Sequence, residues 1–234
     1  MRVLSSFRPL AGDELKQVRS MKIGQDTVLA RTDLLKAGAE KIPVYTIFSG
    51  WAYRYIDLRE NCRQILDILL PGDLIGLQAP FTGKVRHSVR TLTDVSVCSL
   101  DPSGFEVVLA AHPALSEALI ATLLMEEHRA DMRLMLLGRQ RPTERMGYLL
   151  LELRDRLSRR GTDVSGGFRL PLTYHHFADL LGISRSQVAN SLTELRDRRW
   201  ATITDKYAII DNHTAMAGEC QYDGLPPASL RALI

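Results

Sequence analysis

The sequence predicts an α+β chain: an N-terminal antiparallel β-roll of jelly-roll type, a long central dimerisation helix, and a C-terminal winged helix-turn-helix. Three observations carry this. Between Gly24 and Leu100, short β-prone runs alternate with turn residues. From Pro113 to Leu137 a stretch rich in Leu, Ala, Met and Glu has no internal glycine or proline. From Thr173 to Arg199, a small residue, a glycine and an aliphatic residue (Ala178, Gly182, Val188) stand at the spacing that two crossing helices need. The expected domains are 1–112 (β-roll), 113–141 (dimerisation helix and hinge), 142–212 (winged helix-turn-helix) and 213–234 (tail).

In the roll, Val44 to Phe48 ends in Ser49-Gly50, and Trp51 to Ile56 resumes. Ile65 to Leu70 is apolar and is stopped by Pro71-Gly72-Asp73. Arg90 to Leu100 alternates, with Val95, Val97 and Ser99 on one side and Ser96, Cys98 and Leu100 on the other. Cys62 and Cys98 read as strand packing.

The central helix begins with proline in its first turn, where no amide donor is lost. Ile120, Leu123, Ala130, Leu134 and Leu137 fall on a 3–4 spacing interrupted by Glu127. Ala121, Met125, Met132 and Leu136 form a second row. One row can pack on the chain itself, and the other then needs a partner; a symmetric coiled-coil-like dimer supplies it. The alternative is a helix buried on both faces within one domain. The breaker cluster Gly138 to Pro142 reads as a hinge, and Thr143 reads as the cap of the helix after it.

In the third zone Thr173 caps a helix whose inward residues are Phe177, Ala178, Leu180 and Leu181, and Gly182 permits a turn at positive φ. Ser184 caps a second helix held by Val188, Leu192 and Leu195. Arg185, Ser186, Gln187 and Asn190 then face away near its N-terminal end, the end that reaches base edges in a major groove. Arginine can grip guanine, and Gln or Asn adenine, through paired hydrogen bonds. The hydroxyls of Ser184, Thr173 and Thr143, together with Tyr174 and Lys206, are candidate phosphate contacts. Trp200 to Ile210, with a turn at Thr204-Asp205-Lys206, reads as a wing. His175 and His176 suit phosphate contact or simple exposure rather than a metal. After Asp211 the pattern is weak, with a last helical turn expected beyond Pro226-Pro227.

Composition narrows the classes. Of 234 residues, 45% are hydrophobic and 24% charged, which is ordinary for a folded chain. The net charge of +3 disfavours a general polyanion-coating role. Residues 141–210, however, hold twelve Lys/Arg against eight Asp/Glu, an excess that suits a local basic surface. No apolar run is long enough to span a membrane, and the first twenty residues carry no secretory apolar stretch. Cys62, Cys98 and Cys220 match no metal spacing, and their odd number fits a reducing cytoplasm. No nucleophile elbow, P-loop, HExxH or paired-carboxylate motif is present, so an enzyme is not expected.

The order of zones, with the stretches FSGWAYRY, RQILDILLPGDLIGLQ, HSVRTLTDVSVCSL and LPLTYHHFADLLGISRSQVANSLTELR, resembles the Crp/Fnr family of bacterial transcription regulators over roughly residues 20–212. The resemblance implies a cytoplasmic homodimer that reads a two-fold symmetric DNA site, with RNA polymerase as a further partner. It also marks a candidate effector pocket at Gly76, Leu77, Arg86, His87, Ser88 and Asp131. Where cyclic-AMP-binding members carry a ribose-binding Glu, this chain has Leu77. Where they carry a phosphate-binding Arg-Ser pair it has Val85 to Ser88, with Arg86 nearest in a shifted register. Where they carry a Thr-Ser pair it has Ala130-Asp131. Cyclic AMP is therefore disfavoured. No cysteine precedes Cys62, so an iron–sulfur cluster is not expected. Gly76 and Gln78 stand where the carbon-monoxide sensors carry haem ligands, so no cofactor is assigned. His87 and His128 read as surface or hydrogen-bonded core residues. Ser186 and Asn190 replace a Glu and an Arg common in the family, while Arg185 is retained, so the half-site should differ from the best-known ones. Two alternatives stand beside the effector-controlled regulator: a dimer that needs no effector, and a ligand-binding module that acts on a protein partner.

Overall fold

In the computed structural model, residues 12–58 and 62–226 are described. They form two compact units that meet in sequence between Leu124 and Met125.

The first unit opens with a helix absent from the sequence reading, α1 (Gly12–Ser20). Eight strands follow: β1 (Lys22–Val28), β2 (Asp33–Leu35), β3 (Val44–Ser49), β4 (Ala52–Asp57), β5 (Arg63–Leu69), β6 (Leu74–Ile75), β7 (Ser88–Thr91) and β8 (Val95–Leu100). A short helix, α2 (Gln78–Thr82), separates β6 from β7, and α3 (Phe105–Ala111) follows β8. The strands make two four-stranded antiparallel sheets, ordered β1-β8-β3-β6 and β2-β7-β4-β5. Alternation fills the space between them. Ile47, Val89, Val95 and Val97 point inward and are at most 2% exposed, each contributing roughly 1.5–3 kcal/mol by leaving water. The Pro71-Gly72-Asp73 turn is bonded at both ends: the Gly72 amide donates to Ile47 O at 2.7 Å, and the Leu70 amide donates to Asp73 Oδ2 at 2.7 Å. Outside the first sheet, Val44 and Leu100 pack with Val18, Met21, Phe105, Val108 and Leu115 in a second cluster. Cys98 is half-buried in its strand, but Cys62 is exposed just before β5 and does not pack there, contrary to expectation.

The central helix α4 (Pro113–Arg139) starts at the expected proline. In the second unit it is followed by α5 (Pro142–Arg159), β9 (Phe168–Arg169), α6 (Tyr174–Leu181), α7 (Arg185–Asp197), β10 (Ala201–Thr204), β11 (Tyr207–Ile210) and α8 (His213–Glu219). The core is α5, whose Met146, Leu150, Leu151 and Leu153 are fully buried. Its one buried acid, Glu152, is paired with Arg156 at 3.2 Å and Arg133 at 3.4 Å, as a buried carboxylate requires. The region after Asp211 is structured: α8 is capped by Asn212 and buries Met216. Gly147 admits this packing, since a Cβ there would lie 2.5 Å from Cys220 Sγ. The last helical turn expected beyond Pro226-Pro227 lies outside the described residues.

The cluster Gly138 to Pro142 does break the chain, but not as an open hinge. Only Gln140 and Arg141 are non-helical. The Arg145 guanidinium donates to three backbone carbonyls: Leu137 O at 2.9 Å, Gln140 O at 2.9 Å and Leu181 O at 3.0 Å. It thus bonds the end of α4, the corner after it and the end of α6. Thr143 does not cap α5. Arg141 occupies that place, its amide donating to Glu144 Oε2 at 2.9 Å, and Thr143 is buried two residues on, within the first turn.

Candidate nucleic-acid interface

Local sequence shapes the reading surface. The Thr173 hydroxyl accepts from the His176 amide at 3.3 Å, and His176 Nδ1 accepts from the Thr173 amide at 3.1 Å. This reciprocal cap fixes the start of α6. Gly182 ends α6 in the left-handed region (φ 62, ψ 42), a conformation that glycine adopts without strain. Two residues later Ser184 repeats the cap. Its hydroxyl accepts from the Gln187 amide at 3.2 Å while Gln187 Oε1 accepts from the Ser184 amide at 2.9 Å. Val188, Ser191 and Leu195 are buried on the inner side of α7 at 2% exposure or less.

The outer side of α7 carries the predicted readers. Arg185, Ser186, Gln187 and Asn190 are all exposed. Arg185 Nη1 lies 3.4 Å from His175 Nε2, and the Ser184 and Ser186 hydroxyls lie 2.9 Å apart. The carbonyl of Gln187 serves the cap, so its amide nitrogen is the group left to face a ligand. Thr173 and Tyr174 are exposed at the start of α6.

The wing follows Trp200. β10 and β11 form a two-residue hairpin with Thr204 opposite Tyr207. Asp205 (φ 50) and Lys206 (φ 61) both adopt positive φ, the geometry that matches the twist of paired strands. Lys206 is exposed at the tip, and its carbonyl accepts from the Leu170 amide at 2.7 Å. That bond belongs to β9, a third strand that pairs with β11 and braces the wing; the sequence reading missed it because two residues carry no periodicity. Arg185, Arg196, Arg198, Arg199 and Lys206 are exposed on these elements.

Thr143 is the predicted contact that the structure does not bring to this surface. Its hydroxyl donates to Glu194 Oε2 at 2.6 Å, and Glu194 pairs with Arg198 at 2.7 Å. Arg198 in turn stacks over the Trp200 ring at 4.7 Å. This chain ties the far end of α7 to α5, so Thr143 holds α7 rather than a phosphate.

The candidate dimer residues Ile120, Leu123, Glu127, Ala130, Leu134 and Leu137 are all exposed on α4, while Ala121 and Leu136 of the other row are buried. The candidate effector residues of the first unit have different surroundings. Gly76 has φ +81, with Ile42 and Pro43 crowding the place of a Cβ. Leu77 packs on the cluster outside the first sheet, and Arg86 is exposed. Ser88 Oγ accepts from the Ala37 amide at 3.1 Å. His87 is buried, and that burial, followed by the charge of Arg54, pulls its imidazole down to about 4. Asp131 is exposed and belongs to the second unit. Among the described residues no group of three His, Cys, Asp or Glu is placed to hold a metal ion, and no helix is long and apolar enough to cross a membrane.

Comparison with known proteins supplies the context. Residues 26–112 match the family model of the cyclic nucleotide-binding domain, and residues 144–217 match that of the Crp-like helix-turn-helix domain. The chain is 26% identical over 225 residues to the transcriptional activator protein FnrL of Cereibacter sphaeroides, covering 92% of this chain and 86% of that protein. It is 24% identical over 204 residues to the fumarate and nitrate reduction regulatory protein of Escherichia coli K12, covering 87% and 81%. Its fold is similar to that of FixK2 from Bradyrhizobium japonicum, with a TM-score of 0.75 at 23% identity over 84% of this chain and 96% of that one. It is also similar to the c-di-GMP responsive regulator CLP of Xanthomonas campestris, with a TM-score of 0.66 at 16% identity over 86% and 100%.

Proposed function

Because the chain belongs to the Crp/Fnr family of DNA-binding transcription regulators, we propose that it works as a cytoplasmic homodimer that reads a palindromic operator through paired copies of α7. The observation that carries this reading is the bare stripe on α4. Ile120, Leu123, Leu134 and Leu137 are 53, 46, 69 and 38% exposed. With Glu127 and Ala130 they repeat at the 3–4 spacing of a two-stranded seam. A continuous exposed apolar row along one helix face calls for cover, and a second copy of the same helix is self-complementary to it. Two α7 helices would then address half-sites about 34 Å apart on one face of the duplex. Arg185, Ser186, Gln187 and Asn190 are the base readers; Thr173, Tyr174, Ser184 and Lys206 take phosphates. Signal enters at the roll or along α4, or the amount of dimer is itself the signal, and RNA polymerase is the downstream partner.

Selection of bound sequences from a random DNA pool, paired with gel filtration of Leu134→Asp, tests this. The expected result is an inverted repeat with one-turn spacing, and a variant that elutes as a monomer and loses operator affinity. A non-symmetric site, or an intact Leu134→Asp dimer, would sink the reading.

A further inference from the structure

The cap at the start of α7 decides which way the Gln187 side chain points. A carboxamide carries one acceptor oxygen and an NH2 donor group. To read adenine in a major groove it must show both, accepting from N6 and donating to N7. In this chain the oxygen is already taken. Gln187 Oε1 accepts from the Ser184 amide at 2.9 Å, while the Ser184 hydroxyl accepts from the Gln187 amide at 3.2 Å. The orientation follows from chemistry, because a backbone N–H can be met only by the oxygen. Turning the group over would set two donors head to head and forfeit the reciprocal cap. The residue type alone suits adenine; the cap takes that option away and leaves only the NH2 group to face outward.

Its neighbours share this character. Arg185 is exposed in the same turn, and a guanidinium carries donors only. The Ser186 hydroxyl is engaged with that of Ser184 at 2.9 Å. Asn190 stands about one turn further along and takes no part in the cap. The end of α7 that enters a groove first is therefore rich in N–H groups.

We propose that Gln187 is a donor-only reader: at one position of each half-site it selects a keto base, guanine or thymine, and rejects an amino base, cytosine or adenine. In the major groove guanine O6 and thymine O4 accept, whereas the cytosine and adenine amino groups donate. An outward NH2 group is matched by the first pair and opposed by the second. This rests on the DNA-binding reading of α7 and adds to it the chemical class of one base. The same cap makes the choice reversible. A glutamate at this position still gives one oxygen to the Ser184 amide, the pairing that Ser and Glu make at helix starts, and turns a second oxygen outward. Gln187→Glu thus exchanges an outward donor for an outward acceptor while keeping the cap.

The full-length native protein, Gln187→Glu and Gln187→Met each select sites from one random DNA pool at fixed salt. Affinities for the four bases at every selected position are then titrated. Comparing bases within one protein cancels the added charge of the glutamate. One symmetric pair of positions should invert, from the keto class in the native protein to the amino class in Gln187→Glu, with relative affinities changed roughly tenfold. The inversion reads the same whichever strand is written, since complementing a keto base gives an amino base. Gln187→Met, similar in length but without either polar group, should flatten the same position and spare the others. Thermal melting checks each fold, and Gln187→Met decides the matter if the glutamate variant does not fold. An exchange within one class, adenine giving way to cytosine, would reveal a paired reader and overturn the proposal. So would a uniform loss of affinity with every preference unchanged, which puts Gln187 on a phosphate. If the native protein selects no sequence at all, the DNA-binding reading fails and this proposal fails with it.

Discussion

Thr143 and Arg185 look alike on paper, as polar residues beside helix starts, yet the structure gives them opposite tasks. Thr143 is sealed inside and donates to Glu194; Arg185 is exposed beside His175. Thr143→Val should therefore cost about 1–2 kcal/mol of stability, because a partly buried carboxylate loses a donor. It should leave the salt dependence of DNA binding unchanged. Arg185→Ala should do the reverse, with stability within about 0.5 kcal/mol of the parent and operator affinity down by about 1–3 kcal/mol. Urea unfolding and salt-series binding of both variants separate the roles, and a lowered salt slope in Thr143→Val would contradict the assignment. The sequence could not tell them apart, because a hydroxyl after proline at a helix start is ambiguous until its neighbours are known. Arg145 was invisible for a similar reason: an arginine in a first turn looks solvated, and its three carbonyl partners come from three separate segments.

Elements with strong local signals were readable, and those held by distant contacts were not. The two helices around Gly182 carry their own caps and their own breaker, so α6 and α7 could be placed from spacing alone. The long run of α4 has no competing breaker. By contrast β9 is two residues long and exists because β11 lies beside it, and α8 is held by Met216 in contact with the bare backbone at Gly147. The wing's turn yields a prediction with two signs. Lys206 sits at φ 61, where glycine is free of strain. Lys206→Gly should stabilise the second unit by about 0.5–1 kcal/mol while lowering the salt slope of DNA binding by about one phosphate contact. If the melting temperature rises and the slope stays fixed, the wing tip does not touch the backbone of DNA.

At the level of the whole molecule, acid stability should report the roll. His87 is buried in a folded chain that holds its imidazole neutral down to about 4, against an ordinary value of 6.5. Between those values the unfolded chain binds a proton that the folded chain refuses, so stability is complete above pH 6.5 and declines as the pH falls toward 4. By pH 5 the loss is on the order of 2 kcal/mol. His87→Gln should lack this component, and parallel pH profiles for the two proteins would refute it. The general architecture was legible because patterning and punctuation agree along the chain; the surroundings of the candidate effector residues were not, since these depend on which way each one faces. Leu77 proves the point by packing outward. The corner after α4 bears on how such a protein could change state. With one guanidinium stitched to the spine, the elbow and the tip of α6, bending there means tearing three charged hydrogen bonds at once. The joint is therefore welded: whatever turns the lower spine turns the reading head through the same angle, and slack must be sought elsewhere along the chain.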